Sequence, residues 1–200
     1  AAGGLVGEVV QIWKPKELNT FETEWGFSCM GYEISGALGI KMAKPDQDVI
    51  VFIGDGSYLL QNSDIYSSVI YDKKLIIVVC DNGGHMVINR LQLAKGGKEY
   101  LCNLKAARAS NLQFVDFEAH AKSMGANAET VKSISELEAA FKRAKESDKT
   151  YVISMLTHGY EWLDGSAFWE SPTLEIHSTE ENKTAYKEFQ EGKNKQRKGV

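Results

Sequence analysis

The chain has 200 residues, enough for one domain with a sizeable core. It is 43% hydrophobic and 25% charged with a formal charge of −4, which argues against a general nucleic-acid binder carrying a basic face. Its longest apolar runs, such as residues 75–80, are too short to span a bilayer, and Ala1-Ala2-Gly3-Gly4 lacks the basic start and apolar core of a signal peptide.

In chain order, Ala1-Ala2-Gly3-Gly4 reads as the turn after a strand, leading into a helix over residues 5–13. No strand precedes that turn, so the chain is expected to be part of a larger protein. Residues 31–43 are the next predicted helix. Ile34, Leu38 and Met42 form its apolar stripe, Gly36 and Gly39 allow close packing against a neighbour, and Pro45 stops it. Residues 48–54 and 75–80 are apolar and β-branched throughout, the pattern of strands buried on both faces of a parallel sheet.

Between those strands, residues 57–72 are expected as one helix with Ile65, Val69 and Ile70 on its apolar side. Residues 83–113 contain Gly96-Gly97 and little periodicity, so they read as a long functional connection. Phe117, Ala121 and Met124 mark a further helix, with Asp116 before it and Gly125 after it as caps. Ser135-Glu-Leu-Glu138 reads as a capping box, followed by Leu137, Phe141 and Ala144 on one face. Residues 151–156 are a third strand. Residues 178–200, rich in Lys, Glu, Asn and Gln, read as a charged helix or tail beyond a domain of residues 1–177. Strands alternating with helices imply right-handed crossovers and a doubly wound, mainly parallel α/β sheet.

The cysteines Cys29, Cys80 and Cys102 form no CxxC pair, which suits a reduced compartment, and Cys80 reads as a buried small hydrophobe. His85, His120, His158 and His177 show no zinc spacing. A cytoplasmic protein without nucleic-acid or membrane partners is expected.

Chemistry is concentrated in Gly54-Asp55-Gly56-Ser57, between a buried strand and a helix. Ligands of open α/β sheets sit beyond the carboxyl ends of strands. Gly54 and Gly56 permit a sharp turn and close backbone approach, and the first N–H groups of the new helix favour an anion. A carboxylate beside an anion requires a cation to join them, and Mg²⁺ takes carboxylate, carbonyl and phosphate oxygens. The strand at 75–80 runs into Asp81-Asn82-Gly83-Gly84, where the Asn82 amide and the Gly84 carbonyl can face the same metal. Asp81 is read as satisfying turn amides. The residues alone leave open both this metal site and ordinary turn chemistry.

Gly54-Asp55-Gly56 followed by Asn82 resembles the diphosphate-binding signature of thiamin-diphosphate enzymes. The resemblance extends to Trp25-Gly26-Phe27-Ser28-Cys29-Met30-Gly31-Tyr32-Glu33, which in acetolactate-synthase-like members touches the cofactor's rings. It implies a backbone carbonyl near Ser28 that accepts from the cofactor's amino group, and Met30 as the wedge that keeps the cofactor bent. Gly26 belongs to the same cofactor-binding segment. Without the resemblance, Met30 reads as a core residue beside a helix start. Asp55, Asn82 and Gly84 would hold Mg²⁺; Gly54, Gly56, Ser57, Asn82 and Gly84 would surround the diphosphate.

Within that superfamily the segment 24–33, Ile88-Asn89-Arg90-Leu91-Gln92 and Val115-Asp116-Phe117 are most similar to the trihydroxycyclohexane-1,2-dione hydrolases of myo-inositol breakdown. The similarity covers residues 1–169, most firmly 24–92; it weakens after Gly96, and a double Trp is matched loosely by Phe168-Trp169. It implies C–C cleavage of a cyclic dione and a homo-oligomer. It also implies a catalytic glutamate on a separate pyrimidine-binding domain, and none on this one; Glu24 and Glu33 cannot replace it. His85 could approach the substrate or be a polar loop residue. Rival readings are an acetolactate-synthase-like lyase or 2-oxoacid decarboxylase, a nicotinamide dinucleotide domain disfavoured by the missing third glycine, and a non-catalytic binding module.

Overall fold

Four strands, β1 (Ile50–Gly54), β2 (Ile76–Asp81), β3 (Asn127–Val131) and β4 (Tyr151–Leu156), make one parallel sheet ordered β1-β2-β4-β3. The computed structural model describes residues 3–108, 111–163 and 173–196; the Phe168-Trp169 pair lies outside them. The helices in chain order are α1 (Gly4–Ile12), α2 (Tyr32–Ala43), α3 (Asp55–Leu60), α4 (Asp64–Ile70), α5 (Met86–Ala94), α6 (Phe117–Ser123), α7 (Ile134–Glu146) and α8 (Glu180–Lys195).

Alternation along each strand sends side chains to two layers. Val51 and Ile53 of β1, Ile77 and Val79 of β2 and Val152 of β4 pack under Ile34, Leu38, Ile65, Phe117 and Ala121 from α2, α4 and α6. On the opposite face Ile76, Ile153 and Val131 meet Ala140 and Ala144 of α7, and Phe52 meets Trp13, just after α1. Helices on both faces of a parallel sheet make the doubly wound α/β fold that the alternating pattern implies.

Several local expectations are corrected. The helix expected over 57–72 is two helices. α3 already begins at Asp55 and ends where the Asn62 side chain donates to the Tyr58 carbonyl at 3.1 Å, taking an acceptor the helix would otherwise use. Ile70 is 54% exposed, so it does not share the buried stripe of Ile65. On α2, Met42 is exposed, while Lys41 is buried with its Nζ donating to the Pro45 and Gln47 carbonyls at 2.7 Å. Gly36 meets only the ring of Tyr32 in its own helix, and Gly39 has open space around it, so neither serves close packing between elements.

The capping box is shifted by two residues: Ser133 accepts from Glu136 N at 3.2 Å, and Glu136 reaches back to Lys132 N at 2.7 Å. Asp116 caps α6 by accepting from Ala119 N at 2.9 Å. The stretch 83–113 contains α5 rather than connection alone, and β3 has no counterpart among the expected strands. β1 is not buried on both faces, since Ile50 is 41% exposed and no described strand pairs with its outer side. α8 is joined to the domain through Asn182, whose Nδ2 donates to the Lys95 carbonyl at 3.1 Å, with Ala185 buried beside it.

Candidate cofactor and metal site

Gly54 and Cys80 are partners in the β1–β2 register, so the turns leaving these two strands converge. Asp55 opens α3 and is 5% exposed. Its Oδ2 accepts the Gly84 N–H at 2.7 Å, while Asp81 Oδ1 accepts the Gly83 N–H at 2.9 Å, as expected for a turn-satisfying carboxylate. Burial first, and then the adjacent Asp81 carboxylate, push the Asp55 carboxyl up to about 6. Burial and the charge of Asp55 likewise push the Cys80 thiol up to about 11, which makes it unreactive.

Asn82, next to Asp81 in the chain, carries a buried atom with an unused lone pair. Asn82 Oδ1 is enclosed and has no hydrogen-bond partner, a costly state for an amide oxygen. A buried unsatisfied oxygen and a destabilised carboxylate, on turns that leave neighbouring strands, are the kinds of group that a hard cation takes as ligands. The donor set mixes one carboxylate with amide and main-chain oxygens. It is distinct from a cluster of three or more His, Cys, Asp or Glu side chains, of which the described residues hold none.

The loop carrying Asn82 and Gly84 is pinned from behind. His85 N donates to Cys102 O at 2.7 Å and Leu104 N to Gly83 O at 3.0 Å, around an antiparallel bridge from Gly84 to Asn103. Gly84 has φ +135°, and a Cβ there would sit 2.4 Å from Cys102 O, so the approach requires glycine.

Gly56 is the meeting point of three segments. A Cβ on it would lie 2.7 Å from His85 Cε1 and 3.4 Å from Met30 Cε. The structure therefore brings Met30, Gly56 and His85 together, beside Gly54, Asp55, Asn82 and Gly84. Ser57, in the first turn of α3, is buried, at 2% exposed. Gly26 and Ser28 stay on an exposed loop; Gly26 is nearest Glu24, and Ser28 has φ 53°. Nothing brings either into contact with the Gly-Asp-Gly turn.

A cavity of about 430 Å³ opens at Asn82 and is also lined by Leu5, Glu8, Arg90, Thr157 and Trp162. The Arg90 guanidinium lies 4.1 Å over the Trp162 ring. Sequence reasoning did not connect α1 or the 157–163 segment with Asn82, and both are walls of this cavity. No helix of the described residues is long and apolar enough to cross a membrane.

Comparison with known proteins identifies the family of the chain. Residues 1–155 match the family model of the thiamine pyrophosphate enzyme, C-terminal TPP binding domain. The 3D-(3,5/4)-trihydroxycyclohexane-1,2-dione hydrolase of Halalkalibacterium halodurans is 36% identical over 197 residues, 96% of this chain and 30% of that protein. The Bacillus subtilis protein of the same name is 35% identical, over 93% of this chain and 29% of its own length. The chain thus spans about 30% of the length of the curated relatives it matches.

The thiamine diphosphate-dependent 4-hydroxybenzoylformate decarboxylase of Rhodococcus jostii RHA1 has a similar structure, with a TM-score of 0.53 and 24% identity. The match covers 64% of this chain and 23% of that one, and it shows the shared fold. By its motif, its sheet and its family match, this chain belongs to the thiamine pyrophosphate enzymes, as a C-terminal TPP-binding domain.

Proposed function

We propose that the chain anchors thiamin diphosphate through Mg²⁺ in a cytoplasmic, homo-oligomeric hydrolase that cleaves a C–C bond of a cyclic 1,2-dione in myo-inositol breakdown. The anchor rests on one observation: two neighbouring strand ends carry a buried, unpartnered Asn82 Oδ1 and a destabilised Asp55 carboxylate. The substrate class is supported by the relatives' shared name, trihydroxycyclohexane-1,2-dione hydrolase.

In this reading Asp55, Asn82 and the Gly84 carbonyl hold the metal, and Gly54, Gly56 and the Ser57 backbone surround the diphosphate. Gly26, the Ser28 carbonyl and Met30 serve the cofactor's rings. Bound thiamin diphosphate supplies the carbanion chemistry that breaks a bond beside a carbonyl. This chain's residues fix where the cofactor lies, and fixed geometry is their contribution to rate. Residues 1–177 do this work, with 178–200 as a charged appendage. The activating glutamate is assigned to a separate pyrimidine-binding domain of the full-length protein, so the chain alone should not turn over substrate.

Calorimetric titration of thiamin diphosphate with Mg²⁺ tests the anchor. Binding should require Mg²⁺ and vanish in Asp55→Ala. Binding that ignores Mg²⁺ or survives Asp55→Ala would refute the metal assignment. Assay of the enzyme completed with its pyrimidine-binding domain, on the cyclic dione against 2-oxoacids, separates the hydrolase from a lyase or decarboxylase.

A further inference from the structure

The loop that carries Ser28 and Met30 is not held by burial. Trp25 is 53% and Phe27 92% exposed, so apolar packing contributes little to its order. What closes it is a single carboxylate. Glu24 Oε1 accepts from Phe27 N at 2.7 Å, and Oε2 accepts from Cys29 N at 2.7 Å. These two amides bracket Ser28, a residue with a β-carbon held at φ 53° in the left-handed region. Such a conformation persists only when its surroundings over-determine it, and two short charge-assisted bonds on either side do so. The same donors, Phe27 first, hold the Glu24 carboxyl below the usual carboxylate range.

The far end of the loop is fixed independently. Gly31 N donates to Glu33 Oε2 at 2.9 Å, and a Cβ on Gly31, at φ +94°, would lie 2.4 Å from Gln61 Cβ at the end of α3. Met30, between the two anchors, extends its methyl group toward Gly56. The loop is therefore pinned to the Gly-Asp-Gly helix at one end and shaped by Glu24 at the other.

We propose that Glu24 is a positioning residue for the cofactor: its carboxylate folds residues 24–29 so that the Ser28 carbonyl and the Met30 side chain are presented together. This rests on the thiamin-diphosphate reading above, and it gives Glu24 a role that involves no proton transfer. The conformation of the loop is set by Glu24 before any ligand arrives.

The test compares the chain with Glu24→Ala, Glu24→Gln and Asp55→Ala by two readouts. Amide hydrogen exchange, without cofactor, should accelerate at Phe27 and Cys29 in Glu24→Ala and partly in Glu24→Gln, which keeps one acceptor oxygen. Thermal unfolding should fall only slightly, because the bonds of an exposed carboxylate are screened by water. Calorimetry should show thiamin diphosphate with Mg²⁺ binding roughly tenfold more weakly to Glu24→Ala, the scale of one hydrogen bond to a charged group. Glu24→Gln should fall between Glu24→Ala and the unmodified chain.

Unchanged exchange would overturn the proposal at its first step. Faster exchange with unchanged affinity, while Asp55→Ala abolishes binding, would overturn positioning and leave the metal anchor intact. No Mg²⁺-dependent binding by the unmodified chain would overturn the anchor and this proposal together.

Discussion

β2 and β1 are neighbours in one sheet, yet their surroundings differ. β2 lies between β1 and β4, and Ile76, Ile77, Val78 and Val79 are at most 1% exposed. β1 buries Val51 and Ile53 on one face, while Ile50 is 41% exposed and Phe52 only half-buried. A cavity of about 590 Å³ runs along its outer side, bounded by Trp13, Phe21, Tyr32 and Ile40. The two strands converge at their carboxyl ends, where the register aligns the turns bearing Asp55 and Asn82. Stability is concentrated in the central strand, and the site lies where it meets a less protected one.

The largest effect tests this contrast directly. Ile77→Ala should cost about 2–5 kcal/mol in urea unfolding, as for other fully buried large-to-small changes, whereas Ile50→Ala should cost less than about 1 kcal/mol. Equal losses would mean that β1 is as buried as β2 in solution. Next comes the point of convergence. Asp55→Asn removes a buried charge and its repulsion with Asp81, so it should raise the stability of the metal-free chain by about 1–2 kcal/mol while abolishing Mg²⁺-dependent cofactor binding. Melting curves with a chelator check the gain, and a loss of stability there would show that the carboxylate is already compensated.

The opposite edge of the sheet sharpens the contrast further. On β3, Glu129 is clamped by Arg143 at 2.6 Å and by the Tyr151 hydroxyl at 2.5 Å, and these bonds, Arg143 first, lower its carboxyl below the usual range. A lowered carboxyl contributes stability that is fully present above its unfolded value and is lost as pH falls through the folded one. Glu129→Gln should therefore lower Tm by roughly 2–4 °C at neutral pH. The difference from the unmodified chain should shrink on acidification below the ordinary glutamate range. A gap that stays constant with pH would show that the clamp is not ionic. The smallest effect is a gain: Gly39→Ala, in a helix with nothing near its missing Cβ, should stabilise by about 0.5–1 kcal/mol.

Periodicity identified β2 and β4 because runs of β-branched residues are distinctive. It could not tell β1 from β2, since a strand at an edge and one at the centre can have the same composition. β3 went unnoticed because Asn127-Ala-Glu-Thr-Val131 is short and mostly polar on one face. α5 was hidden between Gly83-Gly84 and Gly96-Gly97, whose turn signals dominate a nine-residue helix. The convergence of the turns bearing Asp55 and Asn82 was legible because neighbouring parallel strands bring their carboxyl ends side by side. The seat of His85 on Gly56 was not, since two distant turns meet there through space and neither turn's residues specify the other.

The bridge between Gly84 and Asn103 gives the long excursion from α5 to residue 101 a closed neck. Both ends of that excursion are fixed at a single point, and the excursion in turn braces the neck: Asn103 Nδ2 donates to Glu99 Oε1 at 3.3 Å, and Glu99 Oε1 also accepts from Asn89 of α5 at 2.9 Å. The Asn82-Gly83-Gly84 turn is thus mechanically coupled to α5 and Glu99, so a change in the length of chain between them is felt at the neck.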